Sequence, residues 1–161
     1  KLGNAQPSTS HLHPLPGGDK LPDVTKLAQM YEMDRFAVSR LVYRHGSRAV
    51  RILDEMKKDS SLKTLLCSCE PVTRAEVNYA AQHEMARTLS DVRRRTRLGL
   101  GPCQGMRCET PALAQLVELG MIKPDEAAPA LQNYQKEWWW NRACVMGGEQ
   151  VRQEELKRIN N

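Results

Sequence analysis

Apolar residues recur at three- and four-residue intervals along most of this chain, the spacing that lines one side of an α-helix. Asp34 to Arg44 carries Phe36, Val38, Leu41 and Val42 in that rhythm. His45-Gly46-Ser47 breaks it, and Ser47 is placed to cap a second helix with Ala49, Val50, Ile52, Leu53 and Met56 inside. Thr73-Arg74-Ala75-Glu76 reads as a capping box, in which hydroxyl and carboxylate each take up a free amide at a helix start. Val77, Ala80, Ala81, Glu84 and Met85 continue that helix. A shorter one opens at Thr88-Leu89-Ser90-Asp91, and Gly99, Gly101 and Pro102 stop it.

Thr110-Pro111 marks a further start, with proline expected at the first helical position, and Gly120 closes that helix. Pro124 opens another that runs towards Trp140, and Gly147-Gly148 precedes a last amphipathic stretch from Glu149 to Ile159. No strand is evident. Residues 1–22, interrupted by Pro7, Pro14, Pro16, Gly17, Gly18 and Pro22, read as an irregular arm or linker. The fold expected is all-α, with a helical segment over 23–66, a cysteine-bearing segment over 67–108 and a helical C-terminal segment over 109–161.

Composition narrows the class. The 161 residues are 40% hydrophobic and 27% charged, a globular balance. No run approaches the roughly 18 apolar residues of a membrane span, and the N-terminus lacks a signal-peptide pattern, so a cytoplasmic chain is expected. It opens on Lys1, not Met, and is read as a module of a longer protein. The net charge of +5 is concentrated in Arg87, Arg93, Arg94, Arg95, Arg97 and Arg107. Such a stripe meets nucleic acid, an anionic surface or a bound anion, and is most often a solvated helix face.

Four of the five cysteines are grouped. Cys67 and Cys69 form a C-x-C pair, and Cys103 and Cys108 form a C-x4-C pair after the 33 residues 70–102. Both pairs lie at element boundaries, and the neighbouring glycines let backbone approach sulfur. Nothing marks the chain as exported, which disfavours disulfides. Four thiolates suit structural zinc, and they equally suit a [2Fe–2S] cluster with two on each iron. Zinc knuckles more often use C-x2-C, so the spacing leans modestly towards the two-iron group.

The stretches 67–77 (CSCEPVTRAEV) and 94–108 (RRTRLGLGPCQGMRC) resemble the [2Fe–2S] domain named for bacterioferritin-associated ferredoxin, in the form appended to flavin-dependent dehydrogenases. The flanks 15–18 (LPGG), 43–49 (YRHGSRA) and 84–98 (EMARTLSDVRRRTRL), with 148–156 (GEQVRQEEL), resemble the C-terminal domain of FAD-dependent, anaerobic-type glycerol-3-phosphate dehydrogenases. The resemblance implies an electron-relay module with Cys67, Cys69, Cys103 and Cys108 as cluster ligands. FAD would sit in an N-terminal domain missing from this chain, where sn-glycerol 3-phosphate becomes dihydroxyacetone phosphate. The implied partners are that FAD domain and electron-accepting subunits leading to membrane quinone, at the inner face of the membrane. No nucleic-acid partner is implied, and Arg97 and Arg107 would offset the cluster's negative charge. The rival reading, from the cysteines and basic charge, is a zinc-stapled helical module binding nucleic acid or protein through its arginine-rich face.

Other residues carry plainer expectations. The glycines 99, 101 and 105 miss the dinucleotide-binding spacing and follow a helix, so no catalytic residue is assigned here. Trp138, Trp139 and Trp140 cannot all face one core, so at least one should reach the surface, as packing or as a docking patch. His11 and His13 are expected in solvent, His45 and His83 in helix or turn roles, and Cys144 as a small buried residue.

Overall fold

The computed structural model describes residues 22–159, and the expected arm over 1–22, with His11 and His13, lies almost wholly outside them. The chain divides into two units between Val50 and Arg51.

In the first unit, Asp23 caps helix α1 (Val24–Met30) by accepting from the Thr25 and Lys26 amides at 2.9 and 3.3 Å. Asp34 does the same for α2 (Arg35–His45), from Ala37 at 3.0 Å. α1 and α2 pack on each other. Val38, Leu41, Val42 and His45 follow the i, i+3, i+4, i+7 pattern and are buried. Phe36 falls off that face; it is exposed, with the Arg40 guanidinium 5.9 Å from its ring centre, against the expectation that it lines the core. Ser47 sits inside a 3-10 turn (Gly46–Arg48) that follows α2.

Helix α3 (Ala49–Lys58) begins at the division, and its Ala49, Ile52, Leu53 and Met56 are buried as their spacing predicts. In the second unit, four helices carry the core: α4 (Arg74–His83), α5 (Leu89–Thr96), α6 (Glu109–Glu118) and α7 (Ala127–Ala143). A last helix, α8 (Glu149–Ile159), follows Gly147-Gly148 as expected. Val77, Ala80, Leu89, Val92, Leu98, Leu113, Leu116 and Tyr134 form one buried cluster that also takes in Cys67 and Cys108.

The capping box predicted at Thr73 is present, and the helix start predicted at Thr88 carries a second one. At α4, Thr73 N–H donates to Glu76 Oε2 at 2.7 Å and the Thr73 hydroxyl adds a bond of 2.9 Å, all fully enclosed. At α5, the Asp91 amide donates to Thr88 Oγ1 at 3.1 Å while Asp91 Oδ2 accepts from the Thr88 amide at 3.2 Å.

The largely helical fold is as expected, with one addition. A short antiparallel hairpin pairs β1 (Leu65–Cys67) with β2 (Val72–Thr73), in the register Leu65–Thr73 and Cys67–Val72. One residue more on β1 than on β2 makes a bulge at Leu66. Three boundaries also differ from expectation. α4 ends at His83, with Glu84 as its C-cap and Met85 exposed and left-handed at φ 55° instead of continuing the helix. α6 starts at Glu109 with Cys108 as N-cap, so Pro111 sits two positions further in, where the missing N–H still has no helical acceptor. α5 stops at Thr96 because Arg97 turns left-handed at φ 65°, before the glycines are reached.

Candidate metal centre

The hairpin and the α5–α6 loop bring the two cysteine pairs together. Cys67 ends β1, Cys69 lies in the hairpin turn, Cys103 lies in the loop and Cys108 caps α6. The Cys103 side chain neighbours that of Cys69, and the Cys108 side chain neighbours that of Cys67. Each close pair thus takes one thiol from each segment. Cys67 and Cys108 are buried, whereas Cys69 and Cys103 are half-buried, and all four are free thiols. Among the described residues, no three His, Cys, Asp or Glu side chains converge tightly enough for a single ion.

The loop is wound from successive tight turns. Gln104 N–H donates to Gly101 O at 2.9 Å, Met106 N–H to Cys103 O at 3.2 Å, and Cys108 N–H to Gly105 O at 2.9 Å. Gly99 and Gly105 hold φ of +78° and +99°, values that favour glycine. Gly101 is needed for a different reason. A Cβ there would overlap the Cβ of Cys69, so only glycine lets the loop lie against the hairpin turn.

Electrostatics separate the inner and outer thiols. Burial pushes Cys103 up, but the Arg107 and Gly105 N–H groups donate to its sulfur, Cys69 adds a hydrogen bond and Arg107 adds charge. The net effect is a thiol more acidic than usual. Cys108 is pushed up to about 12, first by burial and then by the neighbouring Cys67 and Cys103 sulfurs. Its thiol donates to Gly105 O at 3.6 Å.

The arginine stretch is largely engaged within the chain. Arg94 reaches Asp91 at 3.2 Å, Arg95 reaches Asp91 at 3.6 Å and Glu84 at 4.0 Å, and Arg87 contacts the Met121 sulfur. Arg97 Nε lies 3.3 Å from Glu70, tying the residue after Cys69 to the end of α5. Glu76 is consumed by its cap. Trp140 is exposed while Trp138 and Trp139 are half-buried, as three consecutive rings on one helix require. Cys144 is exposed just beyond α7, correcting the expectation of a buried residue. His45 is buried at the end of α2, and His83 packs on Tyr79 with ring centres 4.8 Å apart and the rings tilted by 40°.

One residue at the centre was not singled out from sequence. Tyr134 projects from α7 to the cysteine loop, its hydroxyl 3.0 and 3.3 Å from where Cβ atoms on Gly99 and Gly105 would stand. The pairing of two glycines with two nearby cysteines was the only available signal. A contact between residues some 30 positions apart leaves no periodic trace.

The donor set fits an iron–sulfur group on the structure's own terms: four free thiols, a cradle that a Cβ would fill, and backbone N–H groups aimed at sulfur. Comparison with known proteins gives the family. Residues 8–121 match the family model for the C-terminal domain of alpha-glycerophosphate oxidase. The chain is 34% identical to an anaerobic glycerol-3-phosphate dehydrogenase subunit from Escherichia coli K12, over 98% of this chain and 28% of that protein. It is 32% identical to the subunit of the same name from Haemophilus influenzae, covering 97% and 27%. A counterpart from Haloferax volcanii is 31% identical, covering 99% and 26%. This chain therefore spans little more than a quarter of the length of these relatives. No solved structure matches it. With a family model matched across most of its length, the chain belongs to the family of the C-terminal domain of alpha-glycerophosphate oxidase.

Proposed function

We propose that this chain is the iron–sulfur electron-relay and structural module of an FAD-dependent glycerol-3-phosphate dehydrogenase. Cys67, Cys69, Cys103 and Cys108 are the ligands of one [2Fe–2S] cluster. The observation that carries this reading is the pairwise meeting of four free thiols from two distant segments. Two pairs suit a group with two metals better than a single ion does. When bound, the cluster supplies single-electron storage between a flavin and an acceptor.

The chain's own residues do the rest. Cys67 and Cys108 seat the inner side within the apolar core, and Cys69 and Cys103 leave an edge towards solvent. Arg107 and the N–H groups of residues 105 and 107 stabilise negative charge at Cys103. FAD and the oxidation of sn-glycerol 3-phosphate to dihydroxyacetone phosphate belong to a domain outside this chain. Electrons then pass to partner subunits and membrane quinone at the inner face of the membrane. The relatives from Escherichia coli and Haemophilus influenzae are each named as one subunit of a dehydrogenase, which supports a multi-subunit setting. Among the described residues no helix is long and apolar enough to cross a membrane, which is compatible with peripheral attachment.

The test is protein purified without oxygen, analysed for iron, sulfide and zinc, with visible spectra before and after dithionite. About two irons and two sulfides per chain and a band that bleaches on reduction are expected. Cys103→Ser should remove or perturb that signal and, in the intact protein, electron transfer to quinone. A colourless protein with one tightly bound zinc overturns the reading.

A further inference from the structure

Tyr134 is buried, 5% exposed, and among the described residues its hydroxyl hydrogen finds no acceptor. An unsatisfied buried hydroxyl is costly and calls for a reason. The Arg93 guanidinium hydrogen-bonds the phenolic oxygen, but it offers only donors, so the phenolic hydrogen itself still lacks an acceptor. Glu109 is the neighbouring carboxylate; its Oε1 accepts from Gln135 at 2.9 Å, and neither of its oxygens accepts from the phenol. The hydroxyl instead points at the turn built from Gly99 and Gly105. Gly105 is the residue whose carbonyl takes the Cys108 thiol hydrogen.

We propose that Tyr134 is a positioning residue for the cluster, its O–H donating to sulfur on the inner, Cys108 side once the ligands are deprotonated. A thiolate or sulfide there no longer donates to Gly105 O and becomes an acceptor in search of a donor. The two glycines clear the space that the phenol needs. This inference rests on the iron–sulfur reading above. A hydrogen bond to sulfur favours the more negatively charged reduced cluster, so it raises the reduction potential.

The experiment is an EPR-monitored redox titration of the intact protein carrying Tyr134→Phe, with iron and sulfide measured on the same samples. Phe keeps the ring and removes only the donor. A fully loaded variant whose midpoint shifts to more negative potential supports the proposal. A fully loaded variant with the wild-type midpoint overturns it and leaves the relay reading intact. A wild-type protein without iron and sulfide sinks both. If Phe impairs loading, 3-fluorotyrosine at position 134 keeps the ring and strengthens the donor. The midpoint must then move in the positive direction, and an unmoved midpoint refutes the role of Tyr134.

Discussion

Gly101→Ala is the substitution with the clearest expected consequence. Gly101 is buried and its φ lies outside the left-handed region, so alanine brings no dihedral strain of its own. The whole effect is steric. The new methyl overlaps Cys69 Cβ and stands 3.4 Å from both the Cα and the carbonyl carbon of Cys69. Those are backbone-anchored atoms that cannot swing aside, so the hairpin turn and the loop must separate. Overpacking of this kind costs about 1–3 kcal/mol. Separation also pulls Cys69 from Cys103, so cluster loading should fall together with stability. Two glycines serve as references. Gly120 has φ +68° and open space, so alanine there costs about 1 kcal/mol through backbone strain while leaving loading whole. Gly147 has neither constraint, and Gly147→Ala should stay within about 0.5 kcal/mol of wild type. Urea denaturation with iron and sulfide analysis on all three would decide. A Gly101→Ala protein fully loaded and as stable as Gly147→Ala would refute the close approach of the two cysteine segments.

Thr73→Ala should destabilise by about 1–2 kcal/mol in chemical denaturation, since it strips a donor from the enclosed Glu76 carboxylate and the cap from α4. Asp91 titrates below its ordinary range: burial opposes its charge, but donors from Thr88, Arg87 and Arg94 outweigh that. Its contribution is therefore present in full above the unfolded value and is lost as pH falls through the lower folded value. Asp91→Asn should thus cost about 1 kcal/mol at neutral pH, a difference that disappears at strongly acid pH. Arg97→Gly should be more stable than Arg97→Ala by about 1 kcal/mol, because both lose the Glu70 contact but only alanine keeps the left-handed strain. Equal denaturation midpoints would remove strain from the account of how α5 ends.

What was legible in the chain is what is local. Helix starts at Thr73 and Thr88 announce themselves because the capping acid lies three residues from the hydroxyl. The stop at Gly147-Gly148 is equally local. The cysteine set was visible as spacing, but its cross-segment pairing was not, because that depends on how the hairpin and loop meet. The hairpin strands are three and two residues long, too short to show alternation. Arg97 ends α5 in a conformation that its side-chain type does not advertise. Phe36 misled as an apolar residue that simply falls off the buried stripe of α2. Tyr134 escaped notice because its importance lies in what it approaches.

The same contrast between sequence and space governs the arginines. In the chain they form one basic run, while in the fold they are spread over Asp91, Glu84 and Glu70 and the sulfur of Met121. Partly exposed ion pairs of this kind add little stability, so their value is geometric. Glu70–Arg97 clasps the outside of the two cysteine segments, Gly101 against Cys69 fixes their closest approach, and the Thr73–Glu76 box holds the strand end. Cys67 and Cys108 meanwhile pack among Val72, Val77, Leu98 and Leu116 in the apolar core. The two cysteine segments are thus held by packing and caps. That differs from a zinc finger, where metal binding itself supplies the folding energy. On the iron–sulfur reading proposed above, a cluster seated in such a frame would not have to build the fold, and the frame would set what the cluster experiences. Its inner side would meet apolar packing and, on the inference above, the Tyr134 hydroxyl, while its outer side would meet Arg107 and two backbone amides. Burial favours the less charged, oxidised form, and hydrogen bonds with positive charge favour the reduced form. The potential of a cluster held there would be set by the balance between these two sides.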